Sequence, residues 1–349
     1  MNHSKKIFVL LALITTVLVL IYAQSIIVPF ILAVLFWFII RVIKKLLFKI
    51  KFVKKIPNWL ISIFSTLVLL SFLVFIVSLV TNNIQQLSEA MPVYEKNINS
   101  MTEQINQALD IDLFEFVGEY TSDLNFGSML SSLFSALTGL FGNAFMILLY
   151  LVFLLLEEPT FNRKLKRMYP DPDRFAQVES LILKIDTSIT SYISLKSLSS
   201  LMTGFLSYFA LLFIGIDAPL FWAFLIFILN FIPTIGSLIA TAFPVIFAML
   251  QFGEFTPAFL VLAIVGAIQI IVGNLIEPRL MGSSLNISPL VVFLTLAMWG
   301  LIWGVTGMLL SVPITVILII VLSEFPNSRP LAILLSQKGN IRENLNHDV

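Results

Sequence analysis

The 349-residue chain has two histidines, His3 and His347, and no cysteine. A serine–histidine dyad, a thiol nucleophile and an imidazole or thiolate metal site are therefore excluded from its interior, and no metal or cofactor is expected. Asp217, Glu254 and Glu277 with Arg279 fall at the edges of long apolar stretches. No pair of aspartates lies deep enough for aspartyl proteolysis, and no carboxylate relay is placed for obligate proton antiport. No phosphate-binding glycine loop with its lysine is present, so ATP is not the direct energy source. The deep polar groups are amides and hydroxyls: Asn143, Asn230, Gln269, Asn274 and Thr295. Such groups donate and accept hydrogen bonds without burying a charge, which suits a small neutral polyhydroxy solute. For Asn143 and Thr295 a bond to another helix is the favoured role, and for Asn230 a place in a site. The chemistry on offer is recognition, not catalysis, so no enzyme is expected.

The surrounding composition says where that recognition happens. Hydrophobic residues make up 58% of the chain and charged residues 12%, against roughly 45–50% and 25% in soluble domains; mean hydropathy is +1.00. The net charge of +1 gives no field for nucleic acid. The expected fold is an all-α polytopic membrane protein in contact with the lipid bilayer. Runs near the ~20 residues a spanning helix needs are Ile7–Ala23, Ile26–Ile40, Trp59–Val80, Gly139–Leu156, Leu198–Gly215 and Thr256–Val272. The first lacks a small-residue cleavage pattern and is followed at once by another run, as in a helical hairpin, so it reads as a mature helix.

Charge in the loops orients these spans. Arg41–Lys55 holds seven bases and no acid, which places it in the cytoplasm, and Lys5 and Lys6 place the N-terminus there too. The basic loop reads as a topology determinant that also meets anionic lipid head groups, with a regulatory docking site as the sharper alternative. The segment Asn83–Thr138, with eight acids and one base, falls outside. Arg163, Lys164, Lys166, Arg167 and Arg174 return inside.

The outer segment carries Ile84, Leu87, Met91, Tyr94, Ile98, Met101, Ile105 and Ala108 at 3-4 spacing, one apolar stripe along a helix that Pro92 should bend or break. It has two candidate partners, its own following segment with Phe114, Phe116, Val117 and Leu124, or neighbouring subunits. Inside, Pro170-Asp171-Pro172-Asp173 marks a helix start. Phe175, Val178, Ile182, Ile185, Ile189 and Tyr192 then line one face of an amphipathic helix that runs into the fifth span. Lys184, Asp186 and Lys196 read as its solvated or snorkelling face, with a place at the mouth of a substrate path as the sharper alternative for Lys196.

Two apolar blocks, Pro219–Leu250 and Pro289–Leu322, are interrupted. Each opens on a proline after a cap candidate, Asp217 or Ser288, and breaks 11 residues on, at Asn230 or Gly300. A second proline follows at Pro244 or Pro313. The half-segments are too short to span, and non-helical backbone at membrane depth is tolerated only when buried in protein or lining a cavity. Interrupted segments in corresponding positions point to a transporter's binding site. With the fifth span running outward and the sixth inward, the blocks become re-entrant hairpins entered from opposite sides, an inverted repeat; kinked ordinary helices are the alternative. Trp299 and Trp303 form an aromatic ledge beside the glycines of the second block. Glu277 and Arg279 are expected to pair with each other or with the amphipathic helix and to latch a cytoplasmic gate.

Gly273-Asn274-Leu-Ile-Glu277-Pro278-Arg279-Leu-Met-Gly282, then Leu285, Ser288-Pro289, Trp299-Gly300-Leu-Ile-Trp303-Gly304-Val-Thr-Gly307 and Pro313, resemble the C-terminal signature of the autoinducer-2 exporter family. Asn230-Phe-Ile-Pro233-Thr-Ile-Gly236 is similar to its other marker, and Glu157-Glu158 at the end of the fourth span also fits. The resemblance implies an eight-segment bacterial inner-membrane transporter, assembled as a homo-oligomer, with a pentamer suspected. It implies export of autoinducer-2 or, in some relatives, sodium or lithium/proton antiport. A non-transporting scaffold that binds partners through its outer arm is the alternative from another class. The expected layout is membrane helices over 1–82, an outer arm over 83–138, and a fourth span with connector over 139–197. A transport region then covers 198–322 and a cytoplasmic tail 323–349. Its path or gate residues are Asn230, Pro233, Gly236, Gln269, Asn274, Glu277, Arg279, Gly282, Trp299, Gly300, Trp303, Gly304 and Gly307.

Overall fold

The computed structural model describes residues 3–50, 55–109, 144–281, 286–337 and 339. Asn143, the apolar residues Phe114–Leu124 and Gly282 lie outside the described residues. The described elements are α1 (His3–Tyr22), α2 (Gln24–Phe48), α3 (Asn58–Leu109), α4 (Ala144–Met168), α5 (Pro172–Ile214), α6 (Pro219–Leu229), α7 (Ile235–Phe252), α8 (Phe255–Met281), α9 (Pro289–Glu324) and α10 (Arg329–Leu335). Among the described residues the sole extended pairing is an isolated bridge, Ile287 to Ser336. The protein is an all-α polytopic membrane protein.

Seven described stretches are long and apolar enough to cross a bilayer: Gln24–Phe48, Leu60–Asn83, Ala144–Met168, Pro172–Ile214, Ile235–Phe252, Phe255–Met281 and Pro289–Glu324. Ile235–Phe252 and Pro289–Glu324 belong to broken blocks that fold back. The other five read as full spans, and the 20-residue apolar α1 precedes the first of them. The helices divide into two compact units, Met1–Ser62 with Gly139–Ser194 and Ser283–Val349, and Ile63–Thr138 with Leu195–Gly282.

In the first unit α2 and α4 run side by side in the same direction. Phe30 meets the Tyr150 ring edge-on at 5.6 Å, and seven residues later Trp37 Nε1 donates to Glu158 Oε2 at 3.1 Å. Parallel packing brings the basic ends of α2 and α4 to one side, as the loop charges require. Arg41 bridges Glu158 and Asp186 and lies 4.9 Å over the Trp37 ring. A guanidinium suits this place because it pairs with carboxylates and stacks on indole at once. Lys184 pairs with Glu324 at 2.7 Å. Lys184 and Asp186 are thus partly buried ion-pair members, not a freely solvated face. The joint between α1 and α2 also departs from expectation. Ala23 alone separates them, at φ −93° and ψ 14°, and the bonds Ala23 N–Val19 O and Ile27 N–Ala23 O continue on either side. One such residue bends a helix without reversing it, so α1 and α2 do not form a tight hairpin.

The second unit is built on α6 to α8 with the part of α5 from Leu195 onward; the earlier part of α5 belongs to the first unit. α5 starts as the sequence requires, with Asp171 Oδ1 accepting from Asp173 N, and continues unbroken into the fifth span. Of its stripe, Ile189 and Tyr192 are buried and the four residues before them are half-buried. Beside this core stands α3, which passes Pro92 without interruption. Proline costs a helix one hydrogen bond and a clash with the carbonyl four residues back, and here the flanking packing absorbs both. Leu87, Tyr94 and Met101, seven residues apart, are buried, so these three residues of the stripe pack within their own chain. Tyr94 meets the Phe247 ring at 5.3 Å, and its hydroxyl donates to Asp217 Oδ2 at 3.1 Å. Burial first, and the Asp217 carboxylate second, push this phenol well above its usual range, so it stays protonated and donating. Asn97 Nδ2 donates to Leu250 O at 3.0 Å and Gln251 O at 2.8 Å, satisfying carbonyls freed at the end of α7. Asn97→Ala is expected to cost about 2 kcal/mol, one net hydrogen bond each. A lowered denaturation midpoint of the detergent-extracted protein checks it, and an unchanged midpoint would remove this contact from the fold's support.

Candidate functional site

The first interrupted block is a closed hairpin. α6 is only 11 residues long, about 16 Å and half the bilayer core. The chain then turns through 230–234 and returns along α7. The two ends are tied: Gln251 Oε1 accepts from Asp217 N at 2.8 Å, and Gln251 Nε2 donates to Gly215 O at 2.8 Å. Trp222 on α6 packs against Phe247 on α7 at 4.9 Å. A block whose ends meet does not cross the membrane once. Asp217 is not the cap of α6. Ala218 holds that place in a left-handed conformation, φ 54°, and Asp217 serves Tyr94 instead.

The second block folds back in the same way. Trp303 (φ −130°, ψ 17°) and Gly304 (φ 59°, ψ −141°) break α9 internally. The entry strand is tied to the returning chain by Ser288 N to Leu335 O and Gln337 N to Asn286 O, both 3.1 Å. The break therefore lies at Trp303 and Gly304, not at Gly300, which stays helical. Gly304 occupies backbone space that only glycine enters at low cost.

The two tips use one device. Thr234 has φ 59° and Gly304 φ 59°. Two or three residues later comes a glycine pressed against a carbonyl of the preceding half-helix. A Cβ on Gly236 would strike Leu229 O, and one on Gly307 would strike Trp299 O. The same Cβ positions lie 3.0 Å from the Ile232 Cβ and 3.1 Å from the Trp303 Cβ, each four residues earlier. Pro233 stands beside the strained Thr234 and removes a donor where the ladder is already open. Trp299 and Trp303 stack at 4.8 Å, tilted 37°, and Trp303 Nε1 donates to Leu20 O at 3.0 Å. Of the ledge, Trp303 is thus an anchor for α1. Thr295 bonds Val291 O in its own helix, not a neighbouring one.

Along α5 runs a polar face that sequence reading left unassigned. Lys196, Ser199, Ser200, Thr203 and Ser207 recur at helical spacing, and all are buried. Lys196 Nζ pairs with Glu277 Oε1 at 2.6 Å, with 7% and 17% of their side chains exposed. Ser199 Oγ donates to Glu277 Oε2 at 3.2 Å. Lys196 is therefore neither solvated nor snorkelling, and it, not Arg279, is the ion-pair partner of Glu277; Arg279 is exposed. Asn230 is buried at the first tip and donates through Nδ2 to Ser200 Oγ at 3.2 Å. Gly204 lets α6 close on this face, since a Cβ there would lie 2.9 Å from Ala223 O. The available signal was the run Lys196-x-x-Ser199-Ser200-x-x-Thr203-Gly204-x-x-Ser207, small and polar at 3-4 spacing inside an apolar span.

Opposite lies α8, whose middle, Ile271–Ile276, is a π-helix containing Gly273 and Asn274. Pro278 explains it: without an N–H it cannot complete the α-ladder, and wider turns of this kind recur at functional sites. Asn274 is exposed, while Gln269 is buried. The second unit thus brings together Asn230, Gln269 and Glu277 with Lys196 and the α5 hydroxyls. Among the described residues no group of three His, Cys, Asp or Glu is placed to hold a metal.

An all-α membrane protein with two re-entrant hairpins and a buried polar face between its helices has the build of a membrane transporter. The chain belongs to the AI-2E family of transporters: the model for "AI-2E family transporter" matches residues 8–327. It is 33% identical to the AI-2 transport protein TqsA of Escherichia coli K12, with 96% of each chain covered. It is equally 33% identical to a putative transport protein of Haemophilus influenzae, with 90% of each covered. A putative transport protein of Bacillus subtilis, YueF, is 24% identical over 93% of this chain and 90% of that one.

Proposed function

We propose that the protein is a secondary transporter of the bacterial inner membrane, exporting a small polar solute of the autoinducer-2 kind by alternating access. The observation that carries this reading is the matched pair of hairpin tips. Each has a residue at φ 59° followed by a glycine jammed on a carbonyl. A spanning helix precedes each hairpin, so loop charges assign the tips to opposite sides of the membrane, and the region 198–322 becomes an inverted repeat that does the transporting. Residues 1–82 and the arm 83–138 serve as scaffold. The basic ends of α2 and α4 face the cytoplasm. Within the path, Asn230, Gln269 and the π-helical stretch contact solute, Glu277 with Lys196 closes the inner side, and Arg279 and Asn274 line the entry. The Trp299-to-Gly307 tip moves as the second gate. The AI-2 transport protein TqsA supports the solute class by its similarity.

The test is uptake of autoinducer-2 into everted membrane vesicles. Wild-type protein is expected to accumulate it, and Gly304→Ala, which strains the second tip by about 1–3 kcal/mol, to slow it while still inserting. Equal uptake by vesicles with and without the protein would sink the solute class. Sodium or lithium/proton antiport is a second reading, favoured by the half-buried Glu277 carboxylate; alkalinisation of vesicles on adding sodium would select it. The scaffold reading loses ground because Leu87, Tyr94 and Met101 are spent inside the chain. Assembly as a homo-oligomer, a pentamer by family resemblance, is checked by the mass of the extracted complex.

A further inference from the structure

Among the described residues of the second unit's helices, three buried polar side-chain atoms have no partner: Ser207 Oγ on α5, Trp222 Nε1 on α6 and Gln269 Nε2 on α8. Gln269 Nε2 on α8 and Ser207 Oγ on α5 are both buried, at 8% and 0% residue exposure, and neither atom has a hydrogen-bond partner. Buried polar groups left bare carry their full desolvation cost, so nearly all find partners. Helix geometry places these two together. α5 and α6 are antiparallel, since Ser200 meets Asn230 and Gly204 meets Ala223 and Phe227. α6 and α7 form the closed hairpin, and α8 follows α7 through a tight turn at Gly253 (φ 66°). Four alternating helices leave α8 antiparallel to α5.

The register then follows from the contact of Glu277 with Lys196 and Ser199. Moving eight residues back along α8 reaches Gln269, about 12 Å away, and moving eleven residues on along α5 from Lys196 reaches Ser207, about 16 Å away and within about 20° of the Lys196 direction. In an α-helix, positions eight apart differ by about 80° in direction, while those seven apart nearly coincide. The π-helix inserts one residue, with Glu277 N–H bonded to Val272 O five back. It thereby turns Gln269 onto the face that Glu277 presents to α5. Had the two side chains closed on each other, they would be hydrogen-bonded.

We infer that Ser207 and Gln269 are the recognition groups of a solute pocket between α5 and α8, with Thr203 and Ser200 beneath them and Asn230 at its hairpin side. This rests on the transporter reading and names its site. The bare atom of Gln269 is an N–H donor, which a metal cation repels and an oxygen acceptor satisfies. The Ser207 hydroxyl both donates and accepts. The pocket therefore takes a small uncharged solute carrying carbonyl or hydroxyl oxygens, and the coupling ion is held elsewhere.

The chain's lack of cysteine makes the test direct. Ser207→Cys, Gln269→Cys and, as a control one turn on, Leu211→Cys are placed singly in the full chain in lipid nanodiscs. Leu211 is fully buried and apolar. A small methanethiosulfonate reagent is expected to modify positions 207 and 269 about tenfold faster than 211, as a hydrated gap differs from a closed core. Autoinducer-2 should slow both, and sodium chloride in place of choline chloride should slow neither. Modification of 207 and 269 as slow as 211 would show a dry contact and overturn the pocket. Fast modification protected by sodium, or by neither probe, would overturn the ligand class. Protection by autoinducer-2 with no vesicle uptake would leave the pocket standing and sink the transport reading instead.

Discussion

Gly236→Ala and Gly307→Ala are each expected to abolish vesicle uptake and lower the denaturation midpoint, while Gly266→Ala leaves uptake unchanged. The added methyl at 236 is directed at Leu229 O and that at 307 at Trp299 O, each a backbone atom at the end of its half-helix. A flexible side chain would swing away; a carbonyl held in a helix moves only with its helix. Overpacking of a core commonly costs about 1–3 kcal/mol, and without a yielding partner the cost here lies at or above the upper end. It also falls on the tip itself, prising the half-helices apart where the chain turns. Gly266, on α8, has nothing within 4 Å of its Cβ position. Alanine there gains up to about 1 kcal/mol of helix propensity. If all three variants melted and transported alike, the close approach at both tips would be wrong, and with it the matched hairpins.

The fold was legible because its signals are strong and local. Apolar runs fixed the spans, Asp171 and Pro172 fixed the start of α5, and proline-opened half-segments too short to cross marked the hairpins. What sequence misread were places where tertiary packing outweighs local preference. Pro92 sits in an unbroken α3 because Leu87, Tyr94 and Met101 are held against the unit around it. Gly300 looked like a break because glycine is a poor helix former. Yet its neighbours are helical, and the turn falls where φ must be positive, at Gly304. The single-residue joint at Ala23 is invisible in composition, since alanine bends or continues a helix equally well by its own propensity.

The site was half legible. Asn230 and Gln269 stood out as amides in apolar surroundings, and both are buried. Serine and threonine did not, because in membrane helices they commonly bond their own helix, as Thr203 does to Ser199 O. Only their recurrence on one face of α5 sets them apart. Of the two partners expected for Glu277, the amphipathic helix supplies the actual one through Lys196, and Arg279 falls away for a geometric reason. Residues two apart on a helix do not face each other, so Arg279 was never well placed, whereas Lys196, 81 residues away in sequence, is.

That pair yields the second large effect. Glu277→Leu is expected to destabilise the protein by about 3–5 kcal/mol, because it leaves the Lys196 ammonium buried beside hydrocarbon. Lys196→Met should do the same to the carboxylate, softened slightly by Ser199 Oγ, which continues to donate to it. The double variant Lys196→Met/Glu277→Leu removes both charges, and replacing a buried ion pair by apolar groups of similar volume is often neutral for stability. Its denaturation midpoint should therefore return close to wild type. Transport separates the two roles that stability alone leaves mixed. If the pair is a gate that parts and reforms, as proposed, the apolar contact holds the helices together in one arrangement, and uptake stays low although the fold has recovered. Recovery of uptake together with the midpoint would show that the ion pair only fastens α5 to α8. The polar face would then contribute to transport through its hydroxyls and amides and not through charge.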